Sequence, residues 1–184
     1  EVYEMKYKIA LIGCGRISFK HIEAFVAMQD KVDLVAVCDP VVERAEEKKA
    51  EYTKAVPNPS VKVFADYREM LSVCKPELVT IATESGKHKD IAVYCLQNGA
   101  HVICEKPMAL STSDAQQMID TAKQYGKTLA VCFQNRFNAP VVKAREAYQK
   151  GRFGKMLHGM IQVRWNRNKS YYDQAKWRGT WEQD

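Results

Sequence analysis

The chemistry of this sequence concentrates first in Gly13-Cys14-Gly15-Arg16-Ile17-Ser18. Two glycines one residue apart follow the apolar run of Lys6–Ile12. Such a pair lets the chain leave a strand through a tight turn and brings bare backbone close to a ligand. Ser18 occupies the third position, where a small residue lets the next helix pack against the strand. Residues 16–29 repeat Ile17, Ile22, Phe25 and Met28 at helical spacing. The turn should therefore open a helix whose first N–H groups and positive dipole end face an anion such as a pyrophosphate. Asp39 lies 24 residues beyond Gly15, at the end of a second apolar run, Val32–Cys38. A carboxylate there accepts hydrogen bonds from the ribose hydroxyls of a dinucleotide and repels a 2′-phosphate. Pro40 and Val41 follow, with no arginine to pair with that phosphate, so the pattern favours NAD over NADP. The plainer alternatives are a bare βα turn at Gly13 and a helix cap at Asp39.

A second candidate is Cys104-Glu105-Lys106-Pro107, which closes the run His101–Cys104. Ligands of open α/β sheets bind at the carboxyl ends of the strands. A lysine there can hydrogen-bond a substrate hydroxyl and stabilise the alkoxide that develops as a hydride leaves. Glu-Lys-Pro is otherwise a common surface tripeptide, and only its place in the fold gives it meaning. His21, His88, His101 and His158 are each most simply buried or hydrogen-bonded imidazoles. Asn135 and Arg136 stand where the chain leaves the cofactor segment, beside the cleft, where the plain reading is an interdomain clasp.

The elements that position these groups alternate. Strand-like runs at residues 6–12, 32–38, 61–63, 78–82, 101–104 and 128–132 are separated by helical patterns at 16–29, 42–53, 67–72, 88–97 and 113–125. Short connections between alternating strands and helices call for a doubly wound parallel α/β sheet of Rossmann type. Residues 1–133 are thus read as a dinucleotide-binding domain. Beyond Phe133 the pattern changes. Residues 141–150 are an amphipathic helix, and Leu157–Arg164 alternates apolar and polar residues as a half-solvated strand does. One strand cannot make a sheet, so residues 134–184 are read as the incomplete beginning of an α+β substrate domain.

Charge divides at a similar place. Residues 1–127 hold 17 Lys+Arg against 18 Asp+Glu, a net of −1, while residues 128–184 hold 11 against 4, a net of +7. The basic segment calls for an anionic ligand or an acidic partner surface. It interleaves Arg164, Trp165, Arg167, Lys169, Tyr171, Tyr172, Lys176, Trp177, Arg178 and Trp181. That composition can stack on single-stranded nucleic acid. With a dinucleotide pattern upstream no nucleic acid is expected, and the composition fits either a pocket for an anionic sugar or an interface to a further part of the domain. The six cysteines form no CxxC pair, so no metal site is expected and the thiols are read as reduced and structural. The charged start is unlike a signal peptide, and no apolar run is long enough to cross a membrane. A cytoplasmic location is expected.

Taken together, the glycine motif, Asp39, the Thr83–His88 segment, the stretch Gly99-Ala100-His101-Val102-Ile103-Cys104-Glu105-Lys106-Pro107 and Gln134-Asn135-Arg136-Phe137 resemble, in order, the glucose–fructose oxidoreductase and inositol dehydrogenase family, Gfo/Idh/MocA. The resemblance covers essentially the whole chain. Residues 171–181 resemble the corresponding part of sugar and nucleotide-sugar dehydrogenases. It implies an NAD(P)-dependent oxidoreductase acting on a sugar, cyclic polyol or nucleotide-sugar hydroxyl, and a homo-oligomer at full length. It implies cofactor contacts from Gly13, Gly15, Arg16, Ile17, Ser18, Asp39, Thr83, His88, Glu105, Lys106, Asn135 and Arg136. Lys106, as the catalytic residue, would hold the substrate hydroxyl, and Arg164, Trp177 and Arg178 of the basic, aromatic segment are read as further substrate contacts. It implies a cis Lys106–Pro107 bond. The general-base histidine, preceded by Asp or Asn four residues earlier, would lie beyond Asp184. The sequence departs from the family at Glu84, where a proline is usual. The alternative is a non-catalytic dinucleotide-binding module or sensor.

Overall fold

A computed structural model describes residues 6–57, 59–181 and 183. The chain forms two compact units, one running through Cys132 with a return at Thr180, the other Phe133–Gly179.

The first unit holds six parallel strands: β1 (Tyr7–Ile12), β2 (Val32–Cys38), β3 (Lys62–Phe64), β4 (Leu78–Ile81), β5 (His101–Cys104) and β6 (Leu129–Val131). Their order across the sheet is β3-β2-β1-β4-β5-β6. The order reverses between β1 and β4, and at such a switch point the loops leaving adjacent strands diverge and open a crevice. Helices α1 (Ser18–Ala27), α2 (Val42–Ala55), α3 (Tyr67–Cys74), α4 (His88–Gln97) and α5 (Thr112–Gln124) make the crossovers.

The period-two side-chain alternation of β1 feeds two cores. Ile9 and Leu11 pack with Ile22 and Phe25 of α1 and Tyr52 of α2. Ala10 and Ile12 face the other side and pack with Met70, Ile91, Leu96 and Met118 from α3, α4 and α5. Both sheet faces are therefore dry, which explains why β1 and β2 read as continuous apolar runs rather than alternating ones. The Asp66 carboxylate caps α3 by accepting the Arg68 N–H, and the Ser111 hydroxyl caps α5 by accepting that of Asp114.

The second unit contains α6 (Ala139–Gln149) and α7 (Lys169–Asp173). The strand expected at Leu157–Arg164 does not form. Those residues are irregular, with Leu157 and Ile161 85% and 94% exposed. Alternation selects which face of a strand is apolar. A strand also needs a neighbouring backbone to complete its ladder, and none of the described residues supplies one there.

Candidate functional site

The glycine loop follows from β1 and the strands beside it. Gly13 has φ +91°, and a Cβ placed on it would lie 2.6 Å from the backbone C and O of Ala82 at the end of β4. The turn therefore needs glycine for its dihedral and for the passage of β4. Gly15 differs, because a Cβ there would meet nothing within 4 Å. Its surface faces open space, which is what the close approach of a pyrophosphate requires. Ser18 is fully buried, and its hydroxyl donates to the Gly15 carbonyl, fixing the loop to the first turn of α1. Ile17 is the N-cap of α1 and offers no side-chain cap to the helix. The positive end of that helix is thus left to an outside acceptor. Arg16 and Ile17 are exposed beside it.

Asp39 is buried at the end of β2. One carboxylate oxygen accepts the Cys14 N–H at 2.8 Å and the other accepts the Val41 N–H at 2.9 Å. The N-cap of α2 is Val41 rather than Asp39. Asp39 ties the glycine loop to the β2 end, and each of its oxygens keeps a second lone pair for a ribose hydroxyl.

The β4 and β5 ends form the other side of the crevice. Lys106–Pro107 is cis. Lys106 is exposed, and its ammonium takes no hydrogen bond with a described residue. Glu105, one residue earlier, is buried and lies 3.0 Å from the His21 Nε2 of α1. Burial pushes the Glu105 carboxyl up, but the His21 contact and the Lys106 N–H and charge outweigh it, leaving the carboxyl below its ordinary range. His88, expected beside the cofactor, is 1% exposed. Its Nδ1 lies 2.8 Å from the Pro107 carbonyl and its Nε2 3.2 Å from the Thr83 carbonyl. The imidazole thus clasps the β4 loop to the Lys106 loop. Thr83 is half-buried. Glu84, in the place of the usual proline, pairs with Lys87 and opens a 3-10 turn over Ser85–Lys87. Burial raises the Glu84 carboxyl, and the Lys87 hydrogen bond and charge overcome it, so the net direction is down.

His101 sits at the opposite end of β5, where its Nδ1 accepts the Thr128 N–H. The thiols are those of a packed interior. Burial pushes Cys14, Cys38 and Cys104 up to about 12 and Cys132 to about 11.

The remaining candidates belong to the second unit. Asn135 and Arg136 are exposed in a 3-10 turn over Gln134–Phe137, with the Asn135 side-chain oxygen accepting from Asn138. Arg164 is exposed and donates to Gln162. Arg178 lies over the Tyr171 ring and donates to the Tyr171 carbonyl and the Gln174 side chain, both at 2.7 Å. Trp177 is half-buried beside it.

Sequence reasoning missed one juxtaposition, that of Cys132 with Glu105 and His21. The three lie far apart in the chain, and only the adjacency of β5 and β6 brings two of them side by side.

Strand order, open glycine turn, uncapped α1 and buried acid at the β2 end define a dinucleotide-binding Rossmann domain. The Gfo/Idh/MocA oxidoreductase family, NAD-binding Rossmann fold, matches residues 7–133. The chain belongs to that family, and its cofactor is NAD. The WlbA dehydrogenase of Bordetella pertussis, solved with NADH and UDP-GlcNAcA, superposes with a TM-score of 0.90 at 36% identity, over 98% of this chain and 53% of that one. D-glucoside 3-dehydrogenase of Escherichia coli K12 is 32% identical over 81% of this chain and 41% of its own. An α-N-acetylgalactosaminidase of Shewanella oneidensis is 29% identical over 95% of this chain and 39% of its own. The chain thus spans about two fifths to a half of the length of these relatives. Among the described residues, no helix is long and apolar enough to cross a membrane.

Proposed function

We propose that the protein this chain represents is an NAD-dependent dehydrogenase that oxidises a ring hydroxyl of an anionic nucleotide sugar. The observation that carries this reading is the extent of the likeness to the UDP-GlcNAcA-binding dehydrogenase. It covers 98% of the chain and so runs beyond the family's cofactor domain into the basic, aromatic segment. The net charge of +7 over residues 128–184 suits a diphosphate and a carboxylate.

In this reading Gly13, Gly15, Arg16, Ile17 and Ser18 carry the pyrophosphate, and Asp39 takes the adenine ribose. Thr83, Glu105, Asn135 and Arg136 contribute further cofactor contacts, and His88 holds the loops that present them. Lys106 donates to the substrate oxygen. A separate base takes the hydroxyl proton. Arg164, Trp177 and Arg178 serve the substrate. Residues 134–184 begin a substrate domain. The location is cytoplasmic, and at full length the protein is a homo-oligomer.

The test is NADH formation by the full-length protein with UDP-linked uronates, neutral UDP-sugars, free sugars and inositols. Turnover confined to the uronates is expected. A preference for inositol or free sugars would overturn the substrate reading and leave a dehydrogenase. Release of a free amino sugar from an N-acetylgalactosaminide, without net NADH, would place the protein with its glycosidase relative instead.

A further inference from the structure

We propose that His21, Glu105 and Cys132 form a binding site for a zinc-class divalent cation. One nitrogen, one carboxylate oxygen and one sulfur from these residues lie within 4.8 Å of one another. Among the described residues this is the one group of three such side chains. The proposal does not rest on the dehydrogenase reading.

The donor set is the first argument. Imidazole, carboxylate and thiolate together suit Zn²⁺, and the hard cations Mg²⁺ and Ca²⁺ have little use for sulfur or nitrogen. Spacing is the second. Tetrahedral Zn²⁺ with bonds of roughly 2.0–2.3 Å holds its ligand atoms roughly 3.3–3.6 Å apart. The His21 and Glu105 atoms are already at 3.0 Å. The sulfur must move by little more than an ångström, on the order of a χ1 adjustment.

Rigidity is the third argument. The ligands come from three separate elements, α1, the β5 end and the β6 end. The Glu105 N–H donates to the Ile81 carbonyl and the Cys132 N–H to the Cys104 carbonyl, both at 2.9 Å. The backbone carrying two of the ligands is therefore held by the sheet before any cation arrives. The His21 and Glu105 side chains are only 12% and 9% exposed, and Cys132 is half-buried. That leaves one side of the cluster open for a fourth ligand from water, the arrangement of a three-residue open site.

Binding breaks the Cys132 S–H bond, forms an S–metal bond and passes the thiol proton to the buffer. No electron moves. The cation replaces the hydrogen bonding that now joins these groups and fastens α1 to the strand end that carries Lys106.

Co²⁺ and Zn²⁺ added to the purified, reduced protein test the site. A thiolate-to-cobalt charge-transfer band in the near ultraviolet is expected, with one Zn²⁺ bound per chain in equilibrium dialysis. Cys132→Ser should abolish the band, and the half-buried Cys74 provides the control, since Cys74→Ser should keep it. Cys132→Ser and Glu105→Gln should each weaken Zn²⁺ binding by more than the roughly 10–100-fold that losing an outer-shell partner costs. Circular dichroism confirms that each variant is folded. No band in the wild type would overturn the proposal, as would a band that survives Cys132→Ser, or equal Zn²⁺ affinity in the wild type and folded Glu105→Gln.

Discussion

Gly13→Ala separates what the two glycines of the loop do. Residue 13 sits at φ +91°, and an added methyl would press to within 2.6 Å of the Ala82 carbonyl group and 2.7 Å of the Thr83 nitrogen. All three neighbours are backbone atoms of the β4 end, so no side chain can swing away. A left-handed conformation costs a residue with a Cβ about 1–2 kcal/mol, and overpacking adds about 1–3 kcal/mol. The expected loss is about 2–5 kcal/mol, a large part of the roughly 5–15 kcal/mol that holds a domain folded. For a chain of this size that lowers Tm by about 4–20 °C. Gly15→Ala should differ, because its new methyl meets nothing within 4 Å. Stability there should change by less than about 1 kcal/mol, in the range of exposed substitutions, while NAD binding falls because the methyl occupies the pyrophosphate's approach. Urea unfolding followed by circular dichroism, with calorimetric NAD titration, measures both. A Gly13→Ala loss below about 1 kcal/mol, or a Gly15→Ala protein that binds NAD as before, would refute the division of roles.

Asp39→Ala should weaken NAD and narrow its advantage over NADP, and should cost stability of about 1–3 kcal/mol because the buried Cys14 N–H loses its acceptor; tighter NADP than NAD binding by the wild type in calorimetry would contradict the role of Asp39. The thiols of Cys14, Cys38 and Cys104 are raised from 9.0 to about 12. Their stabilising contribution is complete below pH 9 and is lost as pH climbs toward 12, so urea midpoints should fall over that window and fall less in Cys14→Ser. Glu105 has the opposite sign. Its folded carboxyl is depressed, so its contribution is present above the ordinary carboxylate range and is lost as pH falls through the lowered value. Glu105→Gln should flatten the acid limb of the stability profile, and an unchanged acid limb would count against the His21–Glu105 contact. Lys106→Ala should leave Tm within about 1 °C, since the side chain is exposed, and should cut kcat of the full-length protein; a change confined to KM would remove Lys106 from the chemistry.

Much of the cofactor domain was legible in order along the chain. The apolar runs of β1 and β2, the spaced residues of α1 and the glycines between them are local signals, because strand and helix periods and turn dihedrals are properties of neighbouring residues. The position of Asp39 is of the same kind. Tertiary structure decided the rest. That Gly13 must be glycine because β4 passes behind it depends on a contact with Ala82. That His88 joins the Thr83 and Pro107 carbonyls depends on two loops meeting at the switch point. Asp39 could be assigned to a ribose or to a helix cap from sequence, but its bond to the Cys14 N–H joins two strand ends that only the sheet places together. The alternation at 157–164 shows the limit from the other side: a residue pattern sets which face of a strand is apolar, but the ladder bonds that make the strand come from another segment of backbone. Glu105, His21 and Cys132 converge for the converse reason, because the parallel sheet aligns the ends of strands that the chain itself keeps apart.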